Sequence, residues 1–287
     1  FLEKNKGKKV VVVQGLGFVG SVMSIVCANA LKGDYAVIGI DLASEDSYWK
    51  IASINEGIFP VISSDQKVAK YYEEAKEKGN LYATFDPYAF SKADVIIVDI
   101  NLDVSKNDHH INQNSPLTFD VNLENFESAI KYIGKNCQEN ALILIETTVP
   151  PGSTKIAQNI IQNCLQERDL GTSKIRIGHS YERVMPGPNY IDSIQNFYRV
   201  YSGVDDESAD SVERFLRTII STDEYPLTRL KSTNSTEMSK VLENSYRAMN
   251  IAFIVEWSRY AEESGVDLYE VVNAIRMRPT HKNIMYP

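Results

Sequence analysis

The sequence has 287 residues, of which 43% are hydrophobic, and its formal net charge at pH 7 is -8. This length allows one large domain and a smaller one, with enough apolar side chains for a packed core, so the composition excludes a disordered chain. The acidic balance argues against nucleic-acid binding, because phosphate backbones are held by clustered Lys and Arg.

Short runs of β-branched residues alternate with longer stretches of helical periodicity, a pattern typical of a doubly wound parallel sheet with crossover helices. Strands are predicted at residues 9–14, 36–41, 94–100, 142–146, 175–178 and 199–203. Helices are predicted at residues 19–31, 66–78, 123–136, 154–168 and 207–218. We therefore predict an α/β fold, followed by a helical domain with one long helix.

A glycine-rich turn follows the first predicted strand and leads directly into a helix. Its glycines are Gly15, Gly17 and Gly20. The first makes a tight turn, the second lets the backbone approach a pyrophosphate, and the third lets helix and strand pack closely. The helix start at Phe18 and Val19 then directs amides and a positive dipole end toward the phosphates. This context predicts a dinucleotide site in a Rossmann-type domain.

Asp41 ends the second predicted strand, downstream of Gly20. An acidic side chain at this point can accept hydrogen bonds from both adenosine ribose hydroxyls, and it repels a 2′-phosphate. The predicted cofactor is therefore NAD rather than NADP. The other interpretation is a glycine-rich turn that binds no nucleotide.

The three cysteines, Cys27, Cys137 and Cys164, fall in helical stretches, and none belongs to a CxxC pair or lies beside a His. We expect buried, inert thiols in a reducing cytosol. The apolar run from Val10 to Val13 is too short for a signal sequence or a membrane span. We expect a cytoplasmic protein that does not bind membranes.

The segment at residues 106–119 is polar and without periodicity, which predicts an exposed loop. Its adjacent His109 and His110 are possible metal ligands. No carboxylate or Cys completes a ligand set beside them, so no metal site is predicted.

One long helix is predicted from about Asn234 to about Ser264. Asn234 can cap it, with Glu237 as the capping-box partner, and Gly265 gives a stop. About thirty helical residues span roughly 45 Å. Because this is too long for the flank of a small sheet, the helix is expected to bridge domains or to pair with a second subunit.

One stripe of this helix carries Met249, Ala252, Phe253 and Trp257. A continuous apolar stripe favours burial against a partner, so we expect a homodimer through the long helix. The other interpretation is a long core helix.

Three further features lie downstream of the glycine turn. Thr148 and Glu182 are carried by loops that directly follow strands, at the edge where open α/β sheets bind ligands. We expect both loops to border the nicotinamide end of the cleft. Lys240 and Asn244 lie on one face of the long helix, where they project together toward a ligand or form a solvated pair.

Taken in chain order, these motifs resemble the UDP-glucose/GDP-mannose dehydrogenase family over essentially the whole chain. They are Gly15-Leu16-Gly17-Phe18-Val19-Gly20, Asn55-Glu56-Gly57 with Pro60, Thr147-Thr148-Val149-Pro150, Glu182-Arg183 with Pro186-Gly187, and Lys240 with Asn244. The resemblance implies oxidation of the C6 alcohol of a nucleotide sugar, a UDP-hexose or UDP-N-acetylhexosamine, to the uronic acid. Such enzymes use two NAD and supply polysaccharide precursors.

The resemblance also implies a role for each matching residue. Glu182 matches the acid–base carboxylate that assists hydrolysis of a thioester intermediate. Lys240 matches the lysine that stabilises oxyanion charge and holds the sugar, and Asn244 matches its amide partner. Thr148 matches a threonine that orders a water near the reacting carbon, and we also place it against the cofactor.

In the family, the nucleophilic cysteine lies in a Gly-Gly-x-Cys segment. That segment follows a stretch that resembles the last residues of this sequence, which end at Pro287. None of the three cysteines occupies that position. We therefore expect this sequence to lack the nucleophile and the family's C-terminal nucleotide-binding domain. The predicted domains are an NAD-binding domain at residues 1–229 and a helical central and dimerisation domain at residues 230–287.

The chain departs from the family pattern at several positions. The family's Val-x-Thr-Pro turn is replaced by Val98-Asp99-Ile100-Asn101, which puts the usual cofactor-loop contacts in doubt; Tyr181 stands for a Pro, and Val255 for an Asn. These changes indicate a divergent subgroup, and we expect an N-acetylated sugar substrate.

Two other functions remain open at this point. A β-hydroxyacid dehydrogenase also has a Gly-Leu-Gly turn and a Lys-x-x-x-Asn pair, but the sequence has no Gly-x-Ser-Gly-Gly segment. The second is a non-catalytic NAD-binding protein.

Overall fold

A computed structural model of the chain describes residues 1–102, 121–170 and 174–287. The chain forms two compact units, Phe1–Glu237 and Met238–Pro287. The division falls inside one continuous helix, and the predicted boundary between residues 229 and 230 stays a prediction.

The described part of the first unit contains an 8-stranded sheet in the order β3-β2-β1-β4-β5-β6-β7-β8. The strands are β1 (Lys9–Gln14), β2 (Tyr35–Ile40), β3 (Leu81–Thr84), β4 (Val95–Val98), β5 (Leu142–Ile145), β6 (Arg176–His179), β7 (Val200–Gly203) and β8 (Thr228–Arg229). Strands β1 to β6 are parallel, as in the predicted Rossmann-type sheet.

Strand β7 departs from the predicted parallel arrangement, because it pairs antiparallel with β6. The chain leaves β6 at the carboxyl edge of the sheet and enters β7 from the same edge. A parallel strand would require a crossover back to the opposite edge. The only helix between β6 and β7 has six residues, which does not provide that crossover.

The sheet is covered on both faces, which explains its nearly continuous apolar strands. Side chains of β1 alternate between the two cores: Val11 and Val13 belong to one hydrophobic cluster, and Val10 and Val12 belong to the other. This alternation fixes the register of the central strand and places its carboxyl end against the glycine turn.

The helices of the described residues include all five short helices that periodicity predicted. They are α1 (Phe18–Ala28), α2 (Glu45–Glu56), α3 (Gln66–Lys78), α4 (Glu124–Asn136), α5 (Ser153–Glu167), α6 (Tyr190–Gln195), α7 (Asp206–Ile219), α8 (Thr233–Glu263) and α9 (Leu268–Arg276). Helices α2, α6 and α9 were not predicted, nor were strands β3 and β8.

The predicted capping of the long helix is wrong. Helix α8 begins at Thr233, and the Ser232 hydroxyl accepts a hydrogen bond from the Ser235 amide at 3.2 Å. Glu237 does not return to Asn234 as a capping-box partner. Its carboxylate is directed to the start of α5, where several donors are available at once.

The end of α8 agrees with the prediction. Gly265 adopts a left-handed conformation with φ of 65°, and the Val266 amide donates to the Ala261 carbonyl at 2.9 Å. Helix α9 follows, capped by the Asp267 side chain, which accepts from the Tyr269 amide.

The second unit has a small core and a largely exposed long helix. Its core is formed by Ile254, Ala261, Leu268 and Val272. The predicted apolar stripe is exposed along much of its length, with Met249 at 71% and Phe253 at 53%. Burial of this stripe against a partner stays a prediction.

Among the described residues, no helix is both long and apolar enough to cross a membrane. The His, Cys, Asp and Glu side chains of those same residues form no group of three or more that could hold a metal ion. His109 and His110, with the rest of the predicted loop at 106–119, lie outside the described residues.

Candidate active site

The glycine turn has the geometry that its spacing predicts. Gly15 has a φ of +98°, and a Cβ built on it would lie 2.1 Å from the Asp99 carbonyl oxygen. A Cβ on Gly20 would lie 1.9 Å from the Gly15 carbonyl oxygen. A Cβ on Gly17 would instead meet no heavy atom within 4 Å. At Gly15 and Gly20 the backbone of the protein therefore leaves no room for a side chain. At Gly17 the space beside the turn is open.

The start of α1 is the second element of this site. Gly17 is the N-cap, and within the described residues no side chain caps the helix. The first amides of an α-helix have no partner inside the helix, and they carry its positive dipole end. The amides of Phe18 and Val19 lie beside the open position at Gly17, and their use as an anion site stays a prediction.

Asp41 lies directly after β2 and is joined to the glycine turn. Its Oδ2 accepts a hydrogen bond from the Leu16 amide at 3.1 Å, and its Oδ1 accepts one from the Leu42 amide at 2.8 Å. These bonds hold the carboxylate beside the turn. The structure thus brings together the two parts of the predicted dinucleotide site.

Lys50 lies beside the candidate site, and the sequence did not predict it. Its ammonium group lies 3.0 Å from Asp41 Oδ2, and both side chains are largely buried. Lys50 lies on α2, a helix that was itself not predicted. No local sequence pattern marks Lys50, because only its contact with Asp41 in the folded chain connects it to the site.

The loops of Thr148 and Glu182 leave neighbouring strands at one edge of the sheet. Ile145 of β5 is in register with His179 of β6, and the Ser180 amide donates to the Ile145 carbonyl at 3.0 Å. Both loops therefore start side by side at the carboxyl edge, as expected.

The loop of Thr148 begins at a buried ion pair. Glu146 and Arg199 lie 3.3 Å apart, with their side chains 0% and 3% exposed. The next residue, Thr147, accepts a hydrogen bond from the Ile100 amide at 3.0 Å and donates one to the Val98 carbonyl at 3.2 Å. Thr148 itself is half-buried. The backbone that presents Thr148 is thus tied to β4.

The loop of Glu182 is folded back on itself. The Glu182 carboxylate accepts a hydrogen bond from the Val184 amide. The neighbouring Arg183 donates to the Tyr198 carbonyl at 2.8 Å and to the Tyr181 hydroxyl at 3.1 Å. Tyr181, where the family commonly has Pro, is buried and supports the arginine.

Tyr190 connects this loop to the start of α1, and sequence reasoning missed it. Its hydroxyl donates to the Phe18 carbonyl at 2.6 Å. Burial raises the pKa of Tyr190 far above its usual value, and the nearby charges of Asp99 and Glu182 raise it further. Tyr190 lies on the six-residue helix α6, which is too short to give a periodic signal.

Lys240 and Asn244 lie on α8 within the second unit. They share one face of that helix. Their meeting with Thr148 and Glu182 stays a prediction.

The three cysteines are free and buried, as predicted. Burial raises the pKa of Cys27, Cys137 and Cys164 above the ordinary thiol value. The thiols are therefore protonated at neutral pH and are poor nucleophiles.

Residues 8–220 match the NAD binding domain of the UDP-glucose/GDP-mannose dehydrogenase family. Residues 234–287 match the central domain of the same family.

Two curated relatives are UDP-N-acetyl-D-mannosamine dehydrogenases. The protein from Pyrococcus horikoshii is 29% identical over 276 residues, which cover 96% of this chain and 58% of that protein. The protein from Methanocaldococcus jannaschii is 29% identical over 286 residues, which cover 100% of this chain and 59% of that protein. The chain thus spans somewhat more than half the length of these relatives.

A solved structure of the UDP-D-ManNAc dehydrogenase from Pyrococcus horikoshii has the same fold. It matches with a TM-score of 0.77 and 26% sequence identity, covering 94% of this chain and 58% of that one. With the glycine turn, Asp41 and both domain matches in the same order, the chain belongs to the UDP-glucose/GDP-mannose dehydrogenase family, and residues 8–220 are its NAD-binding domain.

Proposed function

We propose that the protein oxidises the C6 hydroxyl of a nucleotide sugar to the uronic acid, with NAD as the oxidant, for polysaccharide precursor synthesis. The observation that carries this proposal is the glycine turn hydrogen-bonded to Asp41 in a chain of this family. The Glu182-Arg183 motif has no role in β-hydroxyacid dehydrogenase chemistry, and this favours a nucleotide sugar as the substrate.

The proposed substrate is a UDP-N-acetylhexosamine, with a UDP-hexose as the second candidate. Two relatives that share 29% identity with this chain are UDP-N-acetyl-D-mannosamine dehydrogenases. The departures at Asp99, Tyr181 and Val255 support a subgroup distinct from the UDP-glucose enzymes.

The proposed cofactor contacts follow the geometry of the first unit. Gly15, Gly17 and Gly20 with the amides of Phe18 and Val19 would bind the pyrophosphate. The side chain of Asp41 would accept hydrogen bonds from the adenosine ribose. NAD, when bound, supplies the hydride acceptor for both oxidations.

The proposed chemical roles fall on four residues. Glu182 acts as the acid–base carboxylate, and Thr148 orders a water and borders the cofactor. Lys240 stabilises negative charge that develops on the sugar oxygen, and Asn244 assists it. In the first oxidation the C6 hydroxyl loses its proton to a base while its carbon gives up a hydride.

The second oxidation requires a covalent intermediate with a thiolate. The buried, protonated state of Cys27, Cys137 and Cys164 argues against all three as the nucleophile. We therefore assign this role to the family's Gly-Gly-x-Cys cysteine, which is not among these 287 residues.

We further propose a homodimer through α8. Apolar side chains that remain exposed recur along this helix at intervals of three, four or seven residues, the spacing of a helix-pairing seam. They are Leu242, Tyr246, Met249, Phe253 and Tyr260. Phe253→Glu is expected to give a monomer in sedimentation velocity, whereas Tyr88→Glu, at an exposed aromatic of the first unit, keeps the dimer.

We also propose that the protein acts in the cytoplasm. The three cysteines are all unpaired, and free thiols are typical of reducing compartments. NAD and nucleotide sugars are available there.

The function is tested by NAD reduction with the intact protein and a panel of UDP- and GDP-sugars. We expect turnover with a UDP-N-acetylhexosamine and two NADH for each sugar consumed. One NADH for each sugar consumed would show that the enzyme carries out a single oxidation and would contradict the proposed formation of a uronic acid. NAD binding without turnover on any sugar would favour the non-catalytic alternative.

A further inference from the structure

The first turn of α8 carries two neighbouring polar residues, Thr236 and Glu237, that are both 0% exposed. Both lie in the first unit. Burying a hydroxyl and a carboxyl group is unfavourable unless hydrogen bonds replace water. The partners of these two groups therefore indicate why they are buried.

Glu237 binds the start of α5 with both carboxylate oxygens. Oε2 accepts a hydrogen bond from the Gly152 amide at 2.6 Å. Oε1 accepts from the Thr154 amide at 2.7 Å and from the Thr154 hydroxyl at 2.6 Å. A carboxylate at a helix N-terminus satisfies its amides and interacts favourably with its dipole.

These contacts fix the far end of the loop that presents Thr148. The near end is fixed by the Glu146–Arg199 ion pair and by the hydrogen bonds of Thr147. Glu237 holds Gly152, so the half-buried Thr148 lies on a segment that is fastened at both ends.

Thr236 contacts the strand that leads to the other loop. Its hydroxyl lies 2.9 Å from His179 Nδ1 and 2.8 Å from the Ser202 hydroxyl, and it donates to the Thr233 carbonyl at 2.9 Å. Because a hydroxyl has a single proton, His179 and Ser202 are then the donors to Thr236. His179 is the last residue of β6, just before the loop of Glu182.

We propose that Thr236 and Glu237 are positioning residues that hold the Thr148 loop and the Glu182 loop in fixed relative positions for the reaction. We call this pair the α8 clasp. One residue binds the Thr148 loop and its neighbour binds the strand of the Glu182 loop, so one helical turn sets the spacing of both. The inference rests on the proposed function, since both loops carry proposed reacting groups.

The test compares Glu237→Gln and Thr236→Val with the wild type in the intact protein. In Glu237→Gln one amide group would face a backbone N–H that needs an acceptor, which loosens the loop at Gly152 or Thr154. We expect kcat to fall about tenfold to 100-fold, the size that small misplacements of reacting groups produce. NAD affinity is expected to fall by less than kcat, at most about fivefold, because Thr148 is only one of the proposed cofactor contacts and the clasp does not touch the glycine turn or Asp41.

Thr236→Ser retains the hydroxyl and is expected to restore most of the activity lost in Thr236→Val. The matched charge control is Glu73→Gln, at an exposed position on α3, which should change neither kcat nor NAD affinity. A merely structural role predicts equal losses in kcat and NAD affinity, tracking the loss of stability.

Hydrogen exchange provides a readout that does not depend on turnover. In Glu237→Gln whichever amide loses its acceptor, that of Gly152 or that of Thr154, should exchange at least about tenfold faster than in the wild type. Unchanged exchange, or unchanged kcat in both variants, overturns the clasp. A wild type that binds NAD but oxidises no sugar overturns the proposed function instead, and the exchange result then still decides whether the clasp exists.

Discussion

The starts of α1 and α5 both lie at the carboxyl edge of the sheet, yet their amides have different partners. At α1 no described side chain caps the helix, and a Cβ on Gly17 would enter open space. At α5 the amides of Gly152 and Thr154 are bound by Glu237, which follows them in the sequence by 85 and 83 residues, respectively. One helix start has no side-chain cap among the described residues and is the proposed ligand site, whereas the amides of the other are bound by Glu237.

This difference shows how the same physical property serves two purposes. A helix start attracts negative charge whether a phosphate or a carboxylate supplies it. At α1 the glycines keep the backbone accessible, so the charge can come from a dinucleotide. At α5 a buried carboxylate supplies it, and the result is a fixed loop for Thr148.

Glu237→Ala, which removes the side chain that binds the start of α5, is expected to have the largest effect, a loss of stability. This change removes three hydrogen bonds to a charged group and leaves buried donors unsatisfied. The free energy of unfolding should fall by about 3–5 kcal/mol. Urea denaturation followed by circular dichroism measures it. The exposed control Glu73→Ala should shift it by less than about 0.5 kcal/mol, and an equally small shift for Glu237→Ala would contradict the cap.

The glycine turn offers a matched pair of variants that separates ligand binding from folding. Gly17→Ala should weaken NAD binding about tenfold or more with little change in melting temperature, because its Cβ would enter the open space that we propose for the pyrophosphate. Gly20→Ala should lower the melting temperature, because its Cβ would lie 1.9 Å from the Gly15 carbonyl oxygen. Titration calorimetry and calorimetric melting measure the two effects. Normal NAD affinity in Gly17→Ala would show that the open position is not the phosphate site.

A somewhat smaller effect on binding is expected at the ribose end of the same site. Asp41→Asn retains the shape of the side chain but loses its charge and one acceptor. The dissociation constant for NAD should rise about tenfold, the value of one hydrogen bond to a charged group. Titration calorimetry measures it, and the affinity of Glu73→Gln provides the baseline. An unchanged affinity would remove Asp41 from the cofactor site.

The smallest effect is local and concerns the thiols. Cys164 lies on α5 and Cys27 on α1, and burial raises the pKa of both, so neither should react with a thiol reagent at neutral pH. In Glu237→Ala, local opening of α5 should be more frequent. The Cys164 thiol should therefore be labelled several-fold faster than in the wild type, because local opening controls the access of the reagent. Cys27 should remain unreactive. Peptide mass spectrometry after labelling distinguishes them, and equal reactivity of both thiols would indicate global unfolding.

The parts of the fold that depend on local pattern were predictable from the sequence. The bounds of α3 were predicted correctly, since Asp65 caps it and the left-handed Gly79 ends it. The glycine turn and Asp41 were found because the strand, turn, helix and second strand follow one another with a fixed spacing. These signals need no knowledge of distant contacts.

The parts that were missed depend on long-range contacts or on short elements. Glu237 was assigned a local capping role, but donors from another helix hold its carboxylate more strongly than one nearby amide would. Strand β8 has two residues and α6 has six, so neither shows a period. Lys50 was missed because its importance lies in its contact with Asp41, which the sequence separates from it by a turn and part of a helix.

Hydrogen exchange with and without NAD tests the contrast between the two helix starts most directly. NAD is expected to slow exchange in the first turn of α1, at Phe18 and Val19. The amides of Gly152 and Thr154 at α5 should be slow in both states, because Glu237 already binds them. Protection by NAD at the start of α5, with none at α1, would contradict the account.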